Sequence, residues 1–151
     1  MKIRVTKLRD DAVLPEYQTA GAAAADIHAC LDEPVTLQPM ERRMILTGLA
    51  MAIPGGYEVQ IRARSGLSIK YGIAMVNGVG TIDSDYRGEV GVLVINLGQD
   101  AFTIEPGMRI AQMVLGAYEQ IAWQQVDSLD ETVRGAGGYG STGVAQMKGT
   151  V

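Results

Sequence analysis

Cysteine, histidine and the largest aromatic residues are scarce in this chain of 151 residues. It contains one cysteine, one histidine, one tryptophan and one phenylalanine. A disulfide scaffold and a four-cysteine zinc site are therefore excluded, and the low cysteine content predicts a reducing compartment such as the cytoplasm. With His28 alone, one chain cannot form a histidine-rich metal site. We interpret Cys30 as a small core residue and His28 as structural or exposed.

Excess positive charge and long apolar runs are also missing. Thirteen Lys and Arg residues face seventeen Asp and Glu residues, which gives a net charge of −4. This balance predicts neither nucleic acid nor a membrane as a partner. No stretch approaches the ~20 apolar residues of a membrane span, and Met1 to Asp11 lacks the apolar core of a signal peptide. A site for an anion must therefore use a local group of cations or a metal ion.

Alternation of apolar and polar residues is the strongest structural signal. It runs from Tyr57 to Ala63 and, before the turn at Pro54, from Ile45 to Ile53, so the two runs together predict a β-hairpin. No long segment has a helical period. Further short strands are expected at Ile3–Leu8, Val35–Leu37, Val90–Leu97, Phe102–Ile104 and Arg109–Leu115. This pattern predicts one all-β domain, as a sandwich, jelly roll or barrel.

The end of the chain has a different composition. From Arg134 to Val151 glycine stands at positions 135, 137, 138, 140, 143 and 149. The run contains a G-x-G-x-x-G match, but no β-α-β unit surrounds it, which argues against a dinucleotide fold. We expect a β domain over residues 1–133 and, over 134–151, either a disordered tail or an arm that orders on a ligand or a neighbouring subunit.

Two segments combine residue types suited to nucleotide chemistry. Arg64 to Leu67 follows the clearest strand with a cation, a hydroxyl and a glycine, which suit phosphate oxygens, although a plain turn would look similar. Gly80 to Gly88 contains two acids, a hydroxyl, an aromatic ring and an arginine. A carboxylate there can serve as a general base toward water, whereas the alternative is a solvated acidic turn.

Two polar residues interrupt apolar stretches. Asp26 follows four alanines, so a buried charge at this position needs a partner or a metal-bound water. Gln112 lies within the strand expected from Arg109. Taken singly, each is equally consistent with an ordinary hydrogen-bonded core residue.

In order, these segments resemble the five motifs of trimeric deoxyuridine triphosphate nucleotidohydrolases (dUTPases). The resemblance runs from Ala20 to Gly143 and is most specific at 80–89 and 134–143, with support from 64–67 and 107–113. It implies a distorted jelly-roll or β-barrel homotrimer with a flexible C-terminal arm that closes a neighbouring active site. It also implies hydrolysis of dUTP to dUMP and pyrophosphate, which limits uracil in DNA and supplies dUMP for dTMP synthesis.

The resemblance also implies roles for single residues. Asp83 would be the base that activates water for attack on the α-phosphorus, and Tyr86 would lie against the deoxyribose and exclude a ribose. Asn77 would begin a hairpin that reads uracil. Asp26 would act through water on a Mg²⁺ ion bound to the triphosphate. The remaining substrate-binding positions would be Arg64, Ser65, Gly66 and Gln112 at the phosphates, Gly80, Thr81 and Ile82 in the base-reading segment, and Arg134, Gly138, Tyr139, Gly140, Ser141 and Thr142 in the arm, with Tyr139 stacked over uracil.

The sequence departs from the usual family pattern at a few positions. Ala63 replaces a common proline, Tyr139 replaces a common phenylalanine, and Ala24 and Ala25 replace a glycine and a larger residue before the aspartate. Tyrosine keeps the stacking face. Two other functions stay open: the related deoxycytidine triphosphate deaminase, and a non-catalytic nucleotide-binding module on the same scaffold.

Overall fold

The computed structural model describes residues 1–141, and the chain divides into two units, Met1–Glu119 and a second unit that begins at Gln120. The regular secondary structure of the first unit is antiparallel strands with one short helix, so the all-β prediction is confirmed. The elements are β1 (Arg4–Lys7), β2 (Ala25–His28), β3 (Val35–Leu37), β4 (Arg42–Leu46), β5 (Leu49–Ala52), β6 (Tyr57–Ala63), α1 (Ser65–Tyr71), β7 (Ile73–Met75), β8 (Gly80–Ile82), β9 (Gly91–Asn96), β10 (Phe102–Ile104) and β11 (Arg109–Ala117).

The strands pair into two larger sheets and two strand pairs. One sheet has the order β2-β11-β6-β8 and the other β4-β9-β7, while β1 pairs with β5 and β3 with β10. The inward-facing side chains form one main apolar core, as expected when short strands alternate buried and exposed positions. Cys30 is buried, as predicted. The first sheet positions most of the candidate site.

The predicted hairpin between the runs at 45–53 and 57–63 is wrong. The first run is split at Gly48 into β4 and β5, and β5 pairs with β1, whereas β6 pairs with β11 and β8. Gly48 has a φ of +66°, and a Cβ there would lie 2.7 Å from that of Ala12, so only glycine fits this turn. Alternation identifies the buried face of a strand but does not identify its partner.

Helix α1 was not predicted because its seven residues are too few to show a helical period. Its end is nevertheless specified locally. Gly72 has a φ of +72° in the left-handed region, and its cap N–H faces the carbonyls of Leu67 and Ser68. No helix among residues 1–141 has the length and hydropathy needed to cross a membrane.

The described part of the second unit, residues 120–141, contains turns in place of strands or helices. The amide of Gly135 bonds to the carbonyl of Thr132, and that of Ser141 to Gly138, both at 3.0 Å. Tyr139 and Gly140 both have positive φ angles, 51° and 89°, as in the mirror-image type I turn. The boundary after residue 133 stays a prediction.

Candidate active site

Arg64, Ser65 and Gly66 lie where β6 ends and α1 begins. Arg64 is still extended, with φ −83° and ψ 125°, and the next two residues start the helix. Ser65 and Gly66 are exposed, and the backbone hydrogen bonds to the carbonyl of Arg64 begin only with the amides of Leu67 and Ser68. The predicted combination of a cation, a hydroxyl and free amides therefore stands at the end of the central strand.

Asp26 is the centre of a buried polar cluster. Its carboxylate is only 2% exposed, accepts hydrogen bonds from Arg109 Nη1 at 3.0 Å and Gln112 Nε2 at 3.1 Å, and forms an ion pair with Arg64 Nε at 3.3 Å. Arg64 Nη1 also donates to the carbonyl of Arg109 at 3.0 Å. Sheet order explains the meeting, because β11 lies between β2 and β6 and its register sets Gln112 opposite Asp26.

Charge makes this cluster suited to an anion. Two guanidinium groups surround one carboxylate, so the buried charge of Asp26 is compensated and one positive charge remains in excess. The sequence predicted that a buried Asp26 needs a partner but did not identify Arg109 as that partner. Arg109 was visible within the motif at 107–113, yet only the pairing of β2 with β11 shows what it contacts.

Asp26 is also the candidate for interaction with a metal ion. Among residues 1–141 no group of three histidine, cysteine, aspartate or glutamate side chains is arranged to hold a metal. Both oxygens of Asp26 already accept hydrogen bonds, and no further metal-binding side chains of the described residues are grouped around it, so a site of directly coordinating side chains does not fit. A carboxylate oxygen has a second lone pair, and a water bound to a metal could donate to it, so a role through water fits.

His28 stands at the end of β2, opposite Arg109. Its pKa is lowered from the usual value by burial and by the positive charge of Arg109. Within the part of the chain that the structure describes, its buried Nδ1 has no hydrogen-bond partner. The imidazole is therefore neutral in the folded protein at neutral pH.

The lowered pKa of His28 predicts a pH-dependent stability. Below its unfolded value near 6.5 the unfolded chain binds a proton that the folded chain resists, so the free energy of unfolding falls as the pH falls. His28→Gln removes this contribution, and we expect its stability to fall less between pH 7.5 and 5.5. Urea unfolding at the two pH values measures the difference, and equal losses in both proteins would contradict it.

Asp83 follows β8 directly, in an exposed loop that is held by bonds from its own residues. The amide of Tyr86 bonds to the carbonyl of Asp83 at 3.2 Å, and Arg87 Nη1 donates to the carbonyls of Ser84 and Tyr86, both at 2.7 Å. Tyr86 Oη donates to the carbonyl of Glu89 at 2.9 Å. The loop thus presents the Asp83 carboxylate and the Tyr86 ring on one segment.

A small cavity of about 130 Å³ lies beside β8. Its lining includes all four residues that the sequence assigned to base reading: Asn77, Gly80, Thr81 and Ile82. This volume is below that of typical cavities for drug-sized ligands and suits a small ring. Larger concavities of about 310 and 350 Å³ lie along the N-terminal strands, and neither is lined by Asp83 or Arg64, although Arg87 lines the second. We base the site on the chemistry of its residues and not on cavity size.

The segment around Asn77 is not a paired hairpin, which corrects the expectation. It joins β7 to β8, but β7 pairs with β9 and β8 pairs with β6. A turn forms instead, with the amide of Gly78 on the carbonyl of Met75 at 3.1 Å. The connection therefore leads from one sheet to the other, and its backbone groups border the cavity.

Within the first unit, the candidate residue Asp83 lies apart from the candidate residue Arg64. In the antiparallel pairing of β8 with β6, Gly80 faces Ile61 and Ile82 faces Val59, so β8 runs back along β6. Asp83 therefore lies near the start of β6 and Arg64 just past its end, a separation of roughly 20 Å at ~3.3 Å per residue.

The described arm residues form their own local contacts. Arg134 Nε donates to the carbonyl of Gly137 at 2.8 Å, which leaves the two terminal nitrogens of the guanidinium group for other acceptors. Tyr139 is exposed, and the left-handed backbone at Tyr139 and Gly140 forms the turn that Gly138 and Ser141 close. Thr142 lies outside the described residues.

Comparison with known proteins gives one consistent result. The dUTPase family model matches residues 10–143. A deoxyuridine 5'-triphosphate nucleotidohydrolase of Roseobacter denitrificans is 62% identical over 131 residues, 86% of each chain. One of Treponema denticola is 55% identical over 140 residues, covering 93% of this chain and 97% of the relative.

Solved structures agree with the sequence relatives. The dUTPase of Staphylococcus bacteriophage 80alpha with dUPNHPP has a TM-score of 0.85 at 29% identity, covering 95% of this chain and 99% of that one. A mutant dUTPase from phage phi11 of S. aureus, described for its coordination of a structural Mg(II) ion, has a TM-score of 0.76 at 25% identity, over 85% and 98% of the two chains. From the motifs, the fold and these matches, the chain belongs to the dUTPase family.

Proposed function

We propose that this chain hydrolyses dUTP to dUMP and pyrophosphate, with Asp83 as the general base. The observation that carries the proposal is the position of Asp83, which directly follows the strand whose residues line the base-sized cavity. A carboxylate at this position can take a proton from a water that attacks the α-phosphorus. The water oxygen bonds to phosphorus, and pyrophosphate leaves.

Substrate choice in this proposal comes from the cavity and from Tyr86. Backbone groups around Asn77 and Gly80 would bond the Watson-Crick edge of uracil and leave no room for a 5-methyl group. The ring of Tyr86 would lie against the deoxyribose, where a 2'-hydroxyl would collide with it. Ile61 and Met75 also line the cavity and limit its size, which supports this mode of uracil recognition.

Phosphate binding is assigned to the cluster around Asp26 and to the arm. Arg64, Ser65, Gly66 and Gln112 would hold the phosphates, and Arg134, Ser141 and Thr142 would clamp the outer ones while Tyr139 covers uracil. Arg64 and Gln112 contact Asp26 in this structure, so an incoming triphosphate would replace that carboxylate as their partner. Arg109 keeps its own bond and continues to neutralise Asp26.

Magnesium is proposed as the cofactor, with Asp26 acting through a water. The ion would neutralise phosphate charge and orient the triphosphate, which is the main requirement of phosphoryl transfer. The chain's own contribution is the position of Arg64 and Asp83. The cytoplasm stays the predicted location because the chain has so little cysteine.

A homotrimer is proposed because one chain separates Arg64 from Asp83. The outer face of the β4-β9-β7 sheet supports assembly, since Met44 is 61% exposed, Leu93 40% and Leu46 39%. In the register of β4 with β9, Met44 faces Leu93 and Leu46 faces Gly91, so the apolar side chains form one surface. Such a surface is typical of a contact between subunits. Leu93 also lines the cavity, so this surface borders the site.

Mixing two inactive variants tests whether a site is shared between chains. Asp83→Asn and Arg64→Ala chains, co-expressed with different tags and purified through both tags, form mixed trimers. Each mixed trimer has two chains of one kind and one of the other, so about one in three of its shared sites has an intact Asp83 and an intact Arg64, and activity should reappear. If both residues served a site within one chain, each site would keep a defect and the mixture would stay inactive.

Product analysis tests the proposed reaction itself. The protein with Mg²⁺ is incubated separately with dUTP, dTTP, dCTP and UTP, and the products are separated by anion exchange. We expect conversion of dUTP alone to dUMP and pyrophosphate. Release of ammonia from dCTP would favour the deaminase, and binding without turnover would favour a nucleotide-binding module.

A further inference from the structure

The loop that carries Asp83 is tied to the sheet by a tyrosine to which none of the dUTPase motifs assigns a role. Ser84 Oγ lies 3.2 Å from Tyr118 Oη, a partly buried contact between residues 34 positions apart. Tyr118 directly follows β11, and its amide bonds to the carbonyl of Gly56 at 3.1 Å. We propose that Tyr118 is a positioning residue that holds the Asp83 loop through Ser84, an inference that rests on the proposed function of Asp83.

Sheet order explains why a tyrosine is needed for this contact. Strand β6 lies between β11 and β8, and neighbouring strands are ~4.8 Å apart, so a side chain at the end of β11 must cross about 10 Å to reach the loop after β8. A serine or threonine at position 118 would be too short. Tyr118 spans β6 and still ends in a hydroxyl that can bond to Ser84.

The other hydrogen bonds of the loop do not connect it to the end of β11. Arg87 donates to carbonyls of the loop itself, and Tyr86 Oη donates to Glu89, near the far end of the loop. Glu89 is anchored separately, through an Oε1 that accepts from the amide of Gly48 at 2.7 Å. Among the described residues no side chain donates to the carboxylate of Asp83, so its direction depends on the backbone beside it. Ser84 is the next residue, and Tyr118 holds it.

Two variants remove the contact from either side, Tyr118→Phe and Ser84→Ala. Each should lower kcat for dUTP about three- to tenfold, the rate equivalent of one neutral hydrogen bond, and leave the affinity for dUpNHpp and KM nearly unchanged. The double variant should lose no more than one single variant, because both changes remove the same bond. Tyr71→Phe is the matched control, since it removes a hydroxyl at the end of α1.

Several results would overturn the proposal. One is a kcat of Tyr118→Phe and Ser84→Ala equal to that of Tyr71→Phe, and another is a loss that falls on nucleotide affinity and not on kcat. If one variant does not fold, as judged by thermal melting, the other alone decides between these results. If the wild-type chain releases no pyrophosphate, the proposed hydrolysis itself is contradicted. If the wild type and both variants are equally active, only the role of Tyr118 is contradicted.

Discussion

Asp83→Asn is expected to lower kcat for dUTP about 10³-fold while nucleotide binding changes little, since a general base contributes ~10² to 10⁴. The amide has nearly the shape of the carboxylate but cannot accept the proton of the attacking water. Asp83 is exposed and ends no buried network, so the fold should not change. Single-turnover hydrolysis measures the chemical step, and titration with dUpNHpp measures binding separately.

Asp85→Asn is the matched control for this experiment. Asp85 is exposed in the same loop and carries the same charge, so its replacement tests whether lost charge alone slows the reaction. We expect near-normal turnover from this variant. Similar losses of turnover in the two variants would assign the effect to the negative charge of the loop. Normal turnover by Asp83→Asn would show that Asp83 is not the general base.

Ending the chain after Val133 should leave a folded trimer with kcat/KM lowered about 10²-fold or more, as expected when charge-stabilising donors are lost. The deletion removes Arg134, Tyr139 and the hydroxyls that follow. The strands and the apolar core of the first unit end by Ala117, so the deletion does not touch them. Steady-state kinetics with dUTP, together with light scattering for the assembly, checks both parts of the prediction.

A second truncation separates the arm from the residues beyond it. The family match ends at residue 143, so a chain that ends after Gly143 keeps every arm residue with an assigned role. This control should retain its activity. Full activity in the shorter chain would contradict the arm hypothesis, and equal losses in both chains would move the effect to residues 144–151.

Local structure could be predicted from the sequence where a pattern depends on one segment alone. The alternation from Tyr57 to Ala63 predicted β6, and the run at Arg64 was placed correctly at its end. The hairpin failed because pairing depends on distant strands. In the same way, the need of Asp26 for a partner was visible, but Arg109 became its partner only through the register of β2 with β11.

The candidate functional residues follow the same division. They were identified from the motifs, which are contiguous in the chain, whereas the sheet shows which of them lie together. No pattern within one chain shows that Asp83 and Arg64 lie toward opposite ends of β6, because this depends on the direction in which β8 returns along it. Tyr118 could not be found at all, since its contact with Ser84 crosses a strand that is remote from both in sequence.

The carboxylate of Asp26 has a consequence for the end of the catalytic cycle. In the proposed function a bound triphosphate would take over its contacts with Arg64 and Gln112, and these contacts would become available again when cleavage shortens the polyphosphate. Reforming them offsets part of the free energy lost as pyrophosphate departs. Asp26 would therefore favour product release, and the same competition would weaken the binding of short anions to the free enzyme.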